Sequence, residues 1–302
     1  MMDSNQKKTG TIKSFIVPVD FKGYDIMYKI GSFFYSVERA LELGEIRDYD
    51  EGLFRFREAG ISGIQIEAEI GNRINLTELL NAMKKNGIEF HTIHSAFPCG
   101  YKDEESYQKS LEHYKNAMKF AGEMKSPIFM MVPQKPSGYV DYDYIKFRSA
   151  ARRLIGDMCE FSRTSAVTPT IEDYSFKTAA YGLFSDIKYL LDHNPELMFT
   201  YDSGNFVLAG NDELEGAYLF ADRTVGVHFK DIVYDEEHIE FVRDGVCYNS
   251  VAIGDGMLRN KKALEVLKEG RFKAGSVIIE TGYTYNCFEN TLKSADYIRT
   301  IL

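Results

Sequence analysis

Residues 224–232 read TVGVHFKDI. A short apolar, β-branched run ends here in His228, Lys230 and Asp231. The run has the length of a strand rather than a helix. Its apolar residues follow one another instead of alternating with polar ones, which marks a strand covered on both faces and therefore a parallel sheet flanked by helices. His228 and Lys230 lie two residues apart, so an extended chain points both side chains to the same side. The same pattern recurs along the chain, at YKIGSFFYS (28–36), GIQIEAEI (63–70), IEFHTIHSAF (88–97), PIFMMVP (127–133), VTPTIEDYS (167–175), LMFTYDSG (197–204) and SVIIETGY (276–283). Counting the first, there are eight such runs. Between them stand amphipathic segments such as DYDEGLFRFREAG (48–60), NLTELLNAMKKNG (75–87) and DEESYQKSLEHYKNAMKFAGEMK (103–125). Several of these stop at Gly or just before Pro, the residues that end helices. Eight buried strands alternating with eight helices predict an α/β fold, a closed (β/α)8 TIM barrel. No Pro/Gly/Ser-rich linker divides the chain. A single barrel domain over 28–302 is therefore expected, with an N-terminal extension over 1–27 whose SFIVPVDF adds a strand or hairpin. Residues 233–256, after the seventh strand, exceed an ordinary βα loop and read as a long loop serving as a functional lid.

Composition narrows the range of functions. The formal net charge of −9 and the absence of a long basic cluster argue against a nucleic-acid partner, which needs a positive footprint against phosphate. No apolar stretch approaches the roughly 20 residues that span a bilayer. The polar start MMDSNQKKTG is not followed by a signal-peptide core. Cys99, Cys159, Cys247 and Cys287 are far apart and form no C-x-x-C pair, a usage that suits reduced thiols. The expectation is a cytoplasmic protein without membrane or nucleic-acid partners, with homo-oligomer formation left open.

Polar residues at the C-terminal ends of barrel strands are where this architecture places its chemistry. Four late strands end in a group able to bind a metal: Glu172 in TIEDY, Asp202 in TYDSGN, His228 in GVHFKD and Glu280 in IIETGY. Any one of them alone is better read as a cap, an ion-pair partner or a core histidine. Four at the ends of four consecutive strands are not. Three carboxylates at one mouth repel one another and raise each other's pKa unless a cation joins them. Three oxygens and one nitrogen without a thiolate suit a divalent ion, Mn2+ first, then Mg2+ or Co2+, with Zn2+ allowed.

The ordered series TIEDY, TYDSGN, VHFKD and IIETG, together with HTIHSAF and the glycine pair of GDG (254–256), resembles the xylose-isomerase-like sugar phosphate isomerase/epimerase superfamily over residues 28–302. The resemblance implies one divalent metal bound by Glu172, Asp202, His228 and Glu280. It also implies that Glu172 and Glu280 serve as the acid/base pair flanking the substrate carbon. The expected reaction is isomerisation or epimerisation of a sugar or polyol by proton transfer through an enediolate. Two departures stand out. Where ketose epimerases carry D-x-x-H after strand six, this chain reads Asp202-Ser203-Gly204-Asn205; Asn205 can bond a hydroxyl but cannot carry a proton. Where many members carry Glu on strand two, this chain has Gln65, with Glu67 two residues on. The superfamily's DNA-repair branch draws on extra His and Glu ligands, and six histidines in an acidic chain argue against it. Two alternatives stand beside the isomerase: a lyase of the same superfamily, acting as an inosose-type dehydratase or cleaving an oxidised glycoside, and a non-catalytic sugar-binding barrel.

For substrate contact the expected residues are His94, Asn205, Lys230 and Glu67, with Phe33, Phe97, Tyr139, Tyr174 and Tyr283 as aromatic walls. His91 and Asp231 read as structural. The turn Gly254-Asp255-Gly256 offers backbone N–H groups to the site rim.

Overall fold

The computed structural model describes residues 28–302 apart from 137–142, 177–178, 271, 273–274 and 284–285. The expected N-terminal extension and Tyr139 lie outside the described residues. In chain order the strands are β1 (Lys29–Phe33), β2 (Ile61–Glu67), β3 (Glu89–Ser95), β4 (Ile128–Met131), β5 (Thr168–Glu172), β6 (Met198–Asp202), β7 (Thr224–Phe229), β8 (Ile232–Tyr234), β9 (Phe241–Arg243), β10 (Val246–Ser250) and β11 (Ser276–Ile279). β1 to β7 and β11 close into an eight-stranded barrel in which every neighbouring pair is parallel. All eight expected strands are present. Around them run α1 (Tyr35–Glu42), α2 (Tyr49–Glu58), α3 (Leu76–Asn86), α4 (Glu104–Glu123), α5 (Tyr144–Ser162), α6 (Phe184–His193), α7 (Ser203–Leu208), α8 (Glu213–Phe220), α9 (Asn260–Glu269) and α10 (Cys287–Ile301).

The plain one-helix-per-strand count gives way in two places, since α1 and α2 both follow β1, and α7 and α8 both follow β6. Local sequence sets the helix ends. Asp103 opens α4 by accepting from the Ser106 N–H at 2.7 Å, and the Ser106 hydroxyl reaches back to the Asp103 N–H, a reciprocal cap. Gly87 ends α3 at φ +66°, a conformation in which a Cβ is strained. The four cysteines are free thiols. No helix among the described residues is long and apolar enough to cross a membrane.

Residues 233–256 are not an open loop. β8, β10 and β9 form a three-stranded antiparallel sheet in that order. The reversal between β9 and β10 is Asp244-Gly245, both at positive φ (50° and 82°), which matches the right-handed twist of a hairpin. This small sheet touches the segments that follow two distant barrel strands. Arg243 Nε donates to the Ser175 carbonyl at 3.2 Å, and its guanidinium lies 4.0 Å from the centre of the Phe176 ring, just beyond β5. A Cβ on Gly282, just beyond β11, would come within 2.1 Å of the Glu240 carboxylate.

Toward the opposite end of the barrel, His91 is buried against β1, β2 and β11. Its Nδ1 pairs with the Ser276 hydroxyl at 2.8 Å, and burial pushes the imidazole pKa down to about 4. The expected structural role therefore fits its position. Gly31 and Gly63 make room for the ring. A Cβ on Gly63 would lie 2.1 Å from His91 Cδ2, and one on Gly31 would lie 2.7 Å from its Nδ1. Gly63→Ala should therefore destabilise the barrel by about 3 kcal/mol, the upper range for overpacking a filled core. Urea unfolding measures this, and a loss below about 0.5 kcal/mol would show that the ring moves aside freely.

Candidate metal centre and active site

Each of the four predicted ligands is delivered by the end of a strand. Glu172 closes β5 and Asp202 closes β6; His228 is the penultimate residue of β7. Glu280 follows β11 directly, and its N–H donates to the Phe229 carbonyl at 3.0 Å, which extends the ladder by one residue and fixes where the side chain leaves. One ligand atom from each of the four lies within 4.8 Å of the others. His228 Nδ1 is 3.2 Å from Glu172 Oε2, 3.4 Å from Glu280 Oε2 and 3.8 Å from Asp202 Oδ2. Strand positions separated by more than a hundred residues thus meet at one point inside the barrel mouth.

Asp202 divides its two oxygens between the fold and the cluster. Oδ1 caps α7, accepting from the N–H groups of Gly204 (2.8 Å) and Asn205 (2.9 Å). Oδ2 faces the cluster. Asp202 Oδ2 and His228 Nδ1 are both buried, and neither completes a hydrogen bond. Two buried polar atoms that face each other without a hydrogen bond mark a position suited to an ion.

The charges agree with this reading. Lys230 Nζ lies 2.7 Å from Glu280 Oε1 and 3.3 Å from Asp202 Oδ2. Three carboxylates against one ammonium, with a neutral imidazole, leave two negative charges in a buried space; one divalent cation cancels them. Without that cation the protein's own groups show the shortage of positive charge. Burial raises the Asp202 carboxyl to about 7 despite Lys230 beside it. Burial acts to lower His228, but the Glu172 and Glu280 carboxylates facing its Nδ1 outweigh this and raise the imidazole to about 9 as long as no cation takes that place. Burial likewise acts to raise Glu280, and Lys230 and His228 outweigh it and hold the carboxyl at about 2. The residues present fit a divalent metal with hard oxygen and nitrogen donors.

The expected substrate contacts fare differently. Lys230 is at the centre, as its spacing from His228 predicts, and it binds protein carboxylates there. Asn205 is buried with both polar atoms engaged: its Nδ2 donates to the Asp173 carbonyl (2.9 Å) and its Oδ1 accepts from Lys230 (3.1 Å). His94 is at the mouth, packed edge-on against Phe33, which also packs edge-on against His228. Glu67 is held by Arg73, which also bonds Glu38 at 3.1 Å. The glycine turn is spent on the fold. Asp231 accepts from the N–H groups of Gly254 (2.9 Å), Gly256 (3.1 Å) and Leu258 (3.0 Å), so the amides of Gly254 and Gly256 are not offered to the rim.

Two residues of the centre escaped the sequence reading of ligands and contacts. Gln65 Oε1 lies 2.8 Å from His228 Nε2, across the barrel from β2. Asp173 takes the Asp202 N–H on its Oδ1 at 3.0 Å, and burial raises its carboxyl well above the usual range. The sequence marked Gln65 as a departure from the Glu of strand two, without pointing to His228 as its partner. The second carboxylate of the Glu172-Asp173 pair was the only signal for Asp173.

A family model described as xylose isomerase-like TIM barrel matches residues 53–301. No curated protein matches the chain by sequence. Among solved structures, the chain is similar to an IolI protein with a bound zinc atom (TM-score 0.69, 15% identity, 90% of this chain and 97% of that one). It is also similar to D-allulose 3-epimerase from Methylomonas sp. in complex with D-allulose (TM-score 0.69, 11% identity, 92% and 100%). A third is a xylose isomerase-like TIM barrel protein from Mycobacterium smegmatis in complex with magnesium (TM-score 0.67, 14% identity, 91% and 96%). At these identities the likeness is one of fold.

Proposed function

Because the chain belongs to the xylose isomerase-like TIM barrel family, we propose that it is a divalent-metal-dependent isomerase or epimerase of a sugar or polyol, with Mn2+ as the preferred ion. The observation that carries this reading is the convergence of Glu172, Asp202, His228 and Glu280 at the barrel mouth, with two buried ligand atoms lacking hydrogen bonds. A non-catalytic sugar binder has no use for such a charge cluster, which costs stability in the absence of a cation.

A bound divalent ion supplies positive charge for the negative charge that develops on the substrate oxygens when a neighbouring C–H is deprotonated. The chain's own residues do the rest. Glu172 and Glu280 come from strands on different sides of the mouth and serve as the acid/base pair. One takes the proton from the carbon beside the carbonyl, and the other returns a proton to the opposite face, which inverts that carbon. Return to the adjacent carbon gives isomerisation instead. Lys230 holds Glu280 in place through its 2.7 Å ion pair and keeps that carboxyl ionised. Phe33 packs against His94 and His228 and excludes water from that side.

The test is a panel of ketoses and polyols incubated with the Mn2+-loaded protein in deuterated water. Deuterium at one sugar carbon without loss of water is the expected result. An eliminated, dehydrated product, or no exchange with any member alongside sugar binding, sinks the isomerase reading.

A further inference from the structure

We propose that Gln65 is a positioning residue that fixes the tautomers of both imidazoles at the barrel mouth. It keeps the His228 proton on Nε2, so that Nδ1 is bare toward the carboxylate cluster, and it keeps the His94 proton on Nε2 as well. The inference rests on the reading of Glu172, Asp202, His228 and Glu280 as a metal centre, and concerns what prepares the one nitrogen ligand.

A neutral imidazole carries its proton on one nitrogen, and the partner of the other decides which. His228 is fully buried, with no water to arbitrate. On one side of its ring, Nδ1 faces three carboxylate oxygens at 3.2–3.8 Å, which invite a proton onto that nitrogen. A proton there blocks the metal. On the other side, Nε2 meets Gln65 Oε1 at 2.8 Å. An amide oxygen accepts only, so it draws the proton to Nε2. The other end of the same amide carries the choice to a second histidine. Gln65 Nε2, a donor only, lies 3.4 Å from His94 Nδ1, which must then be bare. Turning the amide over would set a donor against His228 Nε2 and an acceptor against His94 Nδ1, which moves both protons to Nδ1 and puts one on the nitrogen that faces the carboxylates; the metal reading selects the first arrangement. Gln65 is itself buried, and β2 places it beside β1 and β3, so one side chain reaches a histidine on the adjacent strand and a histidine across the mouth.

A glutamate at this position would also accept from His228, but it cannot donate to His94 and would add a fourth carboxylate near the cluster. The choice of an amide thus leaves the centre two charges short, the deficit that a single divalent ion fills. Partners of this kind on metal-ligating histidines are worth about 10- to 100-fold in metal affinity.

The test uses the full chain, stripped of metal and free of substrate. Mn2+ affinity is measured by isothermal titration for the wild type, Gln65→Leu and Gln65→Glu. Histidine ring tautomers are read from long-range 1H–15N spectra of the Zn2+-loaded proteins. In the wild type, His228 and His94 should both be protonated on Nε2. Gln65→Leu, which leaves the His228 N–H without an acceptor, should weaken Mn2+ binding about 10- to 100-fold. Gln65→Glu should retain the affinity while the His94 proton moves to Nδ1, where it can donate to the new carboxylate. Mn2+ affinity within twofold of wild type in Gln65→Leu overturns the proposal. So does an equal loss in both variants, which would mean that packing and not the acceptor matters. If Gln65→Leu fails to fold, the wild-type His94 tautomer and its shift in Gln65→Glu still decide. A wild type that takes up no Mn2+ overturns the metal reading itself, an outcome distinct from a wild type and a Gln65→Leu variant that bind alike.

Discussion

Glu280→Gln is expected to lower turnover by at least about 100-fold at saturating Mn2+, the lower bound for loss of a positioned acid/base group, while leaving the barrel folded. The fold survives because Glu280 contributes to it through its backbone: its N–H bonds the Phe229 carbonyl whatever the side chain. A glutamine oxygen also still accepts from Lys230 at the 2.7 Å position. What disappears is a carboxylate that carries both a ligand charge and a proton-transfer site. These two losses can be separated. If Glu172 serves the opposite face of the substrate, it still removes a proton from one epimer in the variant. Deuterium wash-in should then persist for that epimer while inversion stops. Loss of both exchange and inversion, with Mn2+ still bound, would assign both proton transfers to Glu280. Near-normal inversion would remove Glu280 from the mechanism.

The barrel and the four-residue cluster at its mouth were readable because both leave marks within short windows. Buried parallel strands appear as continuous apolar runs, and a ligand at a strand's end is a polar residue where such a run stops. Glu172, Asp202, His228 and Glu280 all carry that mark. The pairing of Gln65 with His228 does not: the partners are 163 positions apart, and nothing in either window names the other. Asp231 and the Gly254–Gly256 turn show the same limit. The glycines signal a tight turn, but whether its amides serve a ligand or a carboxylate of the same chain depends on what lies beneath. There, a Cβ on Gly256 would come within 2.1 Å of Asp231 Oδ1. Residues 233–256 are a different case, because the signal was in the sequence. FVR and VCY flank Asp244-Gly245, a dipeptide suited to a two-residue hairpin turn, and length alone made the segment look like a loop.

Asp202 allows the strongest separation of folding from chemistry, because its two oxygens have different work. In Asp202→Asn the amide oxygen can replace Oδ1 and keep the cap on α7, accepting from Gly204 and Asn205 as before. The amide nitrogen then replaces Oδ2 and cannot bind a cation. The buried carboxylate, whose pKa burial raises to about 7, is also gone, so its desolvation cost goes with it. The metal-free variant should therefore melt within a few degrees of the wild type, or above it, while Mn2+ affinity falls at least about 100-fold. At a Mn2+ concentration about 100 times the wild-type dissociation constant, ligand linkage stabilises the wild type by about 2.7 kcal/mol; a 100-fold weaker site gains only about 0.4 kcal/mol. A thermal melt with and without Mn2+ shows the difference directly. Asp202→Ala supplies the control. It loses the cap as well, at about 1 kcal/mol, and should be less stable than Asp202→Asn even without metal. An Asp202→Asn protein that keeps the full Mn2+-induced shift would remove Asp202 from the ligand set and leave it only the cap.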